Sequence, residues 1–228
     1  MLFDSVKVSG TPVSTDPPAR SGVALGRIGK VPTEASAWMA AAFVVALGTS
    51  AIVLAIFGVG ERGTDIALRA TARWSFLLFW PAYAGGALAT LFGPRLTGLA
   101  RQGRNLGLAF ASAQLVHLSL VLWLIHIAAA PDGSMLFFWI GILCTYLLAS
   151  FSWPWLQNKL GRRFWRILCT ITLEYIALVF AMDFIVIPLQ EKGLGGYPLS
   201  YVPFVVMLVG GVGMRLMSFA RHYAVRAM

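Results

Sequence analysis

RQGRNLGLAFASAQLVHLSLVLWLIH, residues 101–126, is the stretch that decides the fold. Two arginines, Arg101 and Arg104, open it, and a long, mostly apolar run follows. At 1.5 Å of rise per residue, about twenty such residues cross a hydrocarbon layer of roughly 30 Å. His117 lies near the middle of the run and His126 near its end. An ionisable group at membrane depth is costly to bury, so it points to a partner side chain or a ligand.

Working outward, six apolar runs are predicted to cross a membrane: 38–58, 73–92, 105–129, 134–153, 164–187 and 200–219. Pro81 marks a kink in the second, and Pro154 and Pro188 are read as stops of the fourth and fifth. The composition agrees. The 228 residues are 58% hydrophobic and 12% charged, with a mean hydropathy of +0.77, whereas soluble domains are about 25% charged. The runs are continuous rather than alternating, which favours helices over a barrel. The expected fold is an all-α integral membrane protein, a six-helix transmembrane bundle. Residues 1–37 read as a flexible polar tail, 38–220 as the transmembrane domain, and 221–228 as a short basic tail.

Charge sets the orientation. Fourteen of the 18 Lys and Arg residues fall on the side holding the N-terminus, the 93–104 and 154–166 connections and the C-terminus. Both termini are therefore predicted to be cytoplasmic. The formal charge of +9 is explained by this bias and by anionic lipid headgroups, with no role for nucleic acid. Cys144 and Cys169 lie inside apolar runs and form no disulfide framework of the secreted kind. No short apolar leader with a cleavage site opens the chain. GGVGM (210–214) has no preceding strand and fails as a dinucleotide loop. The chain shows no zinc-type cluster, no nucleophile elbow and no phosphate loop in a usable context.

Counting along the helices puts Glu174 at a depth similar to His117, with His126 and Asp183 both near the outer surface. Two acid–imidazole pairs, His117 with Glu174 and His126 with Asp183, are therefore expected if these helices touch. Such pairs either hold helices together or form a proton relay or ligand shell, and the residues alone leave both open. Arg215 is near enough to the inner surface to snorkel. Met182, Met207, Met214 and Met217 are read as packing residues.

RQGRNLGLAFASAQLVH (101–117) resembles the third-helix signature of the ferric reductase-like transmembrane family: a basic opening, Leu-Gly-Leu, small and aromatic residues, then a haem-ligating His. The nearest branch is the one containing the haem-binding membrane subunit of periplasmic methionine sulfoxide reductase. GGALATLFGPRL (85–96) is similar to the family's end of helix two, and LGRRFWRILCTITLEYIALVFAMDF (160–184) to its fifth helix. The family's fifth helix opens with Trp-x-x-Leu-His and carries a second His thirteen or fourteen residues on. Here those places read Cys169 and either Met182 or Asp183, so His117 alone remains of the motif histidines.

The resemblance implies a cytochrome b-like electron-transfer component in a bacterial inner membrane. Haem b would sit on His117, with Met182 or Cys169 as second-ligand candidates. Flavin and NAD domains are not encoded, so electrons would come from a quinol or a separate reductase and leave to a periplasmic acceptor. The alternatives are a haem-free scaffold or accessory subunit with the same fold, and a proton-coupled transporter using the buried acids.

Overall fold

The computed structural model describes residues 33–127, 135–152, 156, 159, 161–193, 196 and 198–227. The helices are α1 (Thr33–Phe57), α2 (Glu61–Phe92), α3 (Thr97–Ile127), α4 (Met135–Phe151), α5 (Arg162–Ala181), α6 (Ile187–Lys192) and α7 (Val202–Ala227). Short 3₁₀ turns, Pro94–Leu96 and Leu199–Tyr201, precede α3 and α7, and a π-helical segment, Met182–Val186, joins α5 to α6. The described residues contain no strand. Five helical stretches are long and apolar enough to cross a membrane, and α4 contributes a shorter apolar helix over Leu136–Phe151. The expectation of helices is met. Of the six expected crossings, the fourth is the short one. Residues 1–32 of the expected N-terminal tail and Pro154 lie outside the described residues.

Several boundaries depart from the hydropathy reading. The second helix begins at Glu61, not at residue 73, and residues 58–60 alone connect it to α1. Polar residues extend this helix because its first turns satisfy themselves. Thr64 Oγ1 donates to the Gly60 carbonyl at 2.9 Å, and Arg69 pairs with Asp65 one turn away at 3.0 Å. Gly58 turns the chain at φ +85°, and Gly63 packs beneath it, where an added Cβ would lie 1.9 Å from the Gly58 carbonyl oxygen. Helix also covers 33–37 and 221–227, which hydropathy assigned to tails.

Pro188 does not stop the fifth helix. Proline has no N–H to offer the carbonyl four residues back, and its ring crowds that carbonyl. The chain widens into a π turn just before it, where Ile187 N–H reaches the Met182 carbonyl. The helix then continues to Gly193, at φ 63°. Such wide turns relieve a helix at a proline and favour functional sites.

Between helices in lipid, packing and hydrogen bonds replace the hydrophobic drive. α2 and α3 share the longest interface, with Gly85 against Leu99 and Ala100. α1 lies on this pair: Ser112 Oγ donates to the Met39 carbonyl at 2.9 Å, and Trp74 Nε1 to the Ala42 carbonyl at 3.2 Å. α7 meets α2 where Gly211 admits the Trp80 ring, whose Nε1 donates to the Met207 carbonyl. α4 packs on α5 through Gly141, and Tyr175 Oη donates to the Phe137 carbonyl at 3.1 Å. At the centre the Phe76 ring meets Phe180 and Phe184 edge-on, each at 5.2 Å. Val44, Ile52, Leu143, Ile171, Val206 and Leu216 turn outward, as a lipid-facing surface requires.

Candidate functional site

The charged residues inside the bundle sort into two clusters. One ties α2, α5 and α7. Glu174 on α5 accepts from Arg215 Nε on α7 at 2.8 Å through Oε1, and from Tyr83 Oη on α2 at 2.7 Å through Oε2. Arg215 also donates through Nη1 to the Tyr83 carbonyl at 3.0 Å, and its guanidinium lies 4.4 Å from the centre of the Tyr83 ring. Each group meets the others' needs: a carboxylate accepts, a guanidinium and a phenol donate.

This cluster corrects two expectations. Glu174 does not pair with His117, because a permanently charged guanidinium and a phenol donor already occupy its oxygens. Arg215 does not snorkel; its side chain is 15% exposed and turns into the bundle. Unlike charges satisfy each other more fully than an acid and a neutral imidazole do.

The second cluster surrounds His117. Its Nδ1 lies 3.0 Å from Thr71 Oγ1 on α2. The Thr71 hydroxyl also sits 2.9 Å from the Ala67 carbonyl and 3.0 Å from the Leu68 carbonyl. The single hydroxyl proton has three acceptors in reach, the two carbonyls and Nδ1. In the tautomer with the proton on a carbonyl, Thr71 accepts from His117 Nδ1–H and the lone pair lies on Nε2. The same second-atom hydrogen bond orients histidines that bind metals.

His117 forms part of the wall of a cavity of about 300 Å³ between α2, α3, α4 and α5. Its apolar lining includes Phe110, Phe138, Ile176, Val179 and Phe180. Its polar lining is Asp65, Arg69, Gln114, His117, Thr145 and Asp183. Asp183, carried by the π segment, feels Arg69 and Arg73 as its nearest opposite charges. Arg73 donates to Ser200 Oγ at 3.0 Å and stacks 4.8 Å from the Tyr201 ring centre.

The structure therefore brings His117 and Asp183 to one cavity and separates the other predicted residues from it. Met182 and Cys169 are not among its lining residues, so neither faces His117 across it. Glu174 belongs to the first cluster. His126 is exposed at the end of α3, its ring 5.8 Å from that of Trp123, and the cations within electrostatic reach of Asp183 are Arg69 and Arg73. Among the described residues no group of three or more His, Cys, Asp or Glu is placed to hold a metal ion.

Sequence reasoning missed Thr71, Tyr83, Gln114 and the Asp65–Arg69–Arg73 series. The last had a signal, since residues at steps of four share one helix face. Thr71 and Tyr83 had none, because a hydroxyl in an apolar run is ordinary. No protein-family model, curated protein or solved structure matches this chain.

Proposed function

We propose that this chain is a ferric reductase-like membrane component whose cavity between α2 and α5 holds a haem b on His117. The observation that carries the reading is the Thr71–His117 bond on a cavity wall, which in the Nδ1–H tautomer leaves Nε2 of a membrane-depth histidine as a lone-pair donor. The cavity lies between α3 and α5, the helices that carry the family's haem ligands in the resemblance. His117 would be the residue that holds the haem, because among the described residues the facing wall presents Asp183, Val179 and Phe180 and no neutral nitrogen or sulfur. Haem bound there would supply one-electron chemistry, with donor and acceptor on other molecules: a quinol or separate reductase, and a periplasmic partner. Charge bias favours cytoplasmic termini, and the resemblance implies a bacterial inner membrane.

The test is an optical spectrum of detergent-purified protein, oxidised and dithionite-reduced, beside His117→Ala. A b-type spectrum in the wild type that vanishes in His117→Ala supports the reading. A featureless spectrum from cells supplied with haem removes it.

A second reading, a haem-free scaffold, draws on the Tyr83–Glu174–Arg215 cluster, which joins three helices and needs no cofactor. It expects purified protein without a chromophore whose stability depends on that cluster and not on His117.

A further inference from the structure

The inner polar lining of the cavity carries several hydrogen-bond acceptors. Where Thr71 gives its proton to the Ala67 carbonyl, His117 donates from Nδ1 and keeps its Nε2 lone pair. Gln114, one turn away on α3, buries Oε1 without a hydrogen-bond partner among the described residues. Thr145 on α4 spends its hydroxyl proton on the Gly141 carbonyl at 2.9 Å, so its oxygen accepts. Asp183 adds a carboxyl group from the π segment that follows α5. A buried acceptor left unpaired costs about 1–3 kcal/mol. Lipid chains carry no donors and cannot relieve it. Water can: a site with several polar partners and far more room than one water needs is normally hydrated.

The mouth of the cavity is also readable. Asp65 and Arg69 line it, and their side chains are 46% and 42% exposed. Pro188, Pro198 and Tyr201 line the same end. Thr71, which holds His117, lies six residues along α2 from Asp65, about 9 Å inward. Charged rim residues at the 58–60 end of the bundle, with acceptors deeper in, describe an opening to water. By the lysine and arginine bias this end faces outward.

We infer that the cavity is a hydrated access path, open at the Asp65–Arg69 end, through which water, protons and small solutes bearing hydrogen-bond donors reach His117. This rests on the cavity being the protein's ligand site; a haem on His117 would occupy the inner part of the same space, so labelling is read on protein whose spectrum shows no haem.

The test uses the full chain with Cys144→Ala and Cys169→Ala, reconstituted in phosphatidylcholine–phosphatidylglycerol vesicles of sorted orientation. Single cysteines are placed at Gln114→Cys and Val121→Cys in the cavity, and at Leu115→Cys on the outward face of α3. The probe is a charged, membrane-impermeant methanethiosulfonate. Thiols react as thiolates, which form where water reaches, so the cavity positions should react at least about tenfold faster than Leu115→Cys. Reaction should occur only from the 58–60 side. Val121→Cys carries the test if Gln114→Cys does not fold. Cavity thiols no faster than Leu115→Cys, or labelled only from the opposite side, would overturn the inference. The haem spectrum is read separately on unlabelled wild type. Accessible thiols in a protein without a chromophore leave this inference standing and remove only the haem reading.

Discussion

The Tyr83–Glu174–Arg215 cluster and the His117 cavity are built from similar side chains but differ in how their hydrogen bonds close. In the first, both carboxylate oxygens of Glu174 meet a donor, and the arginine also holds the Tyr83 carbonyl. In the second, acceptors face a cavity, with Gln114 Oε1 unpaired among the described residues. A closed network is complete without a ligand and fixes helix positions. An open one carries a cost that a bound molecule relieves. The first cluster therefore holds helices together, and the second is where the binding proposed above would take place.

The largest expected effect breaks the closed cluster. Arg215→Leu leaves Glu174 with the Tyr83 hydroxyl as its one remaining donor in this cluster and removes the arginine's hold on the Tyr83 carbonyl. Thermal unfolding in detergent should show a loss of about 2–3 kcal/mol. Glu174→Leu combined with Arg215→Leu should recover much of that loss. Additive losses in this cycle would mean the pair is not coupled.

Next comes the wall between the cavity and α5. An added Cβ at Gly141 would lie 2.9 Å from Val179 Cγ2, the end of a short, branched side chain. Gly141→Leu should therefore lower stability by about 2 kcal/mol through overpacking. It should also slow labelling of Val121→Cys. Unchanged stability would show that α4 is free to move away from α5.

Thr71→Val sharpens the comparison from the other side. It removes the hydrogen-bond partner of His117 Nδ1 and should cost about 1 kcal/mol. If His117 holds haem, the variant should also purify with less haem per chain than wild type. Full haem content would show that the Thr71 bond does not orient the ligand. The smallest effect is expected at the rim. Asp65→Asn breaks an exposed one-turn ion pair and should change stability by no more than about 0.5 kcal/mol. A larger loss would mean that Asp65 also holds Arg69 in place toward Asp183.

Much of the architecture was legible because lipid leaves the backbone few options. Long apolar runs become helices whatever surrounds them, so α1, α2, α3, α5 and α7 follow from the sequence. Their ends did not. Hydropathy counts side chains, whereas the start of α2 depends on the Gly58–Gly63 approach and the Arg69–Asp65 pair. Passage through Pro188 depends on a π turn that no residue count reveals.

The candidate site was legible only as a set of suspects. The sequence by itself determined that ionisable groups lie at membrane depth and that each must find a partner. Counting gave His117 and Glu174 the same level, and level was the whole basis for pairing them. Which side of each helix faces which neighbour is a rotation, and packing contacts such as Gly211 against Trp80 and Gly141 against Val179 decide it. The tertiary structure alone turned Glu174 toward Arg215 and Tyr83, and His117 toward Thr71. Depth is a one-dimensional property that the chain carries along its length, whereas partnership needs the other two dimensions.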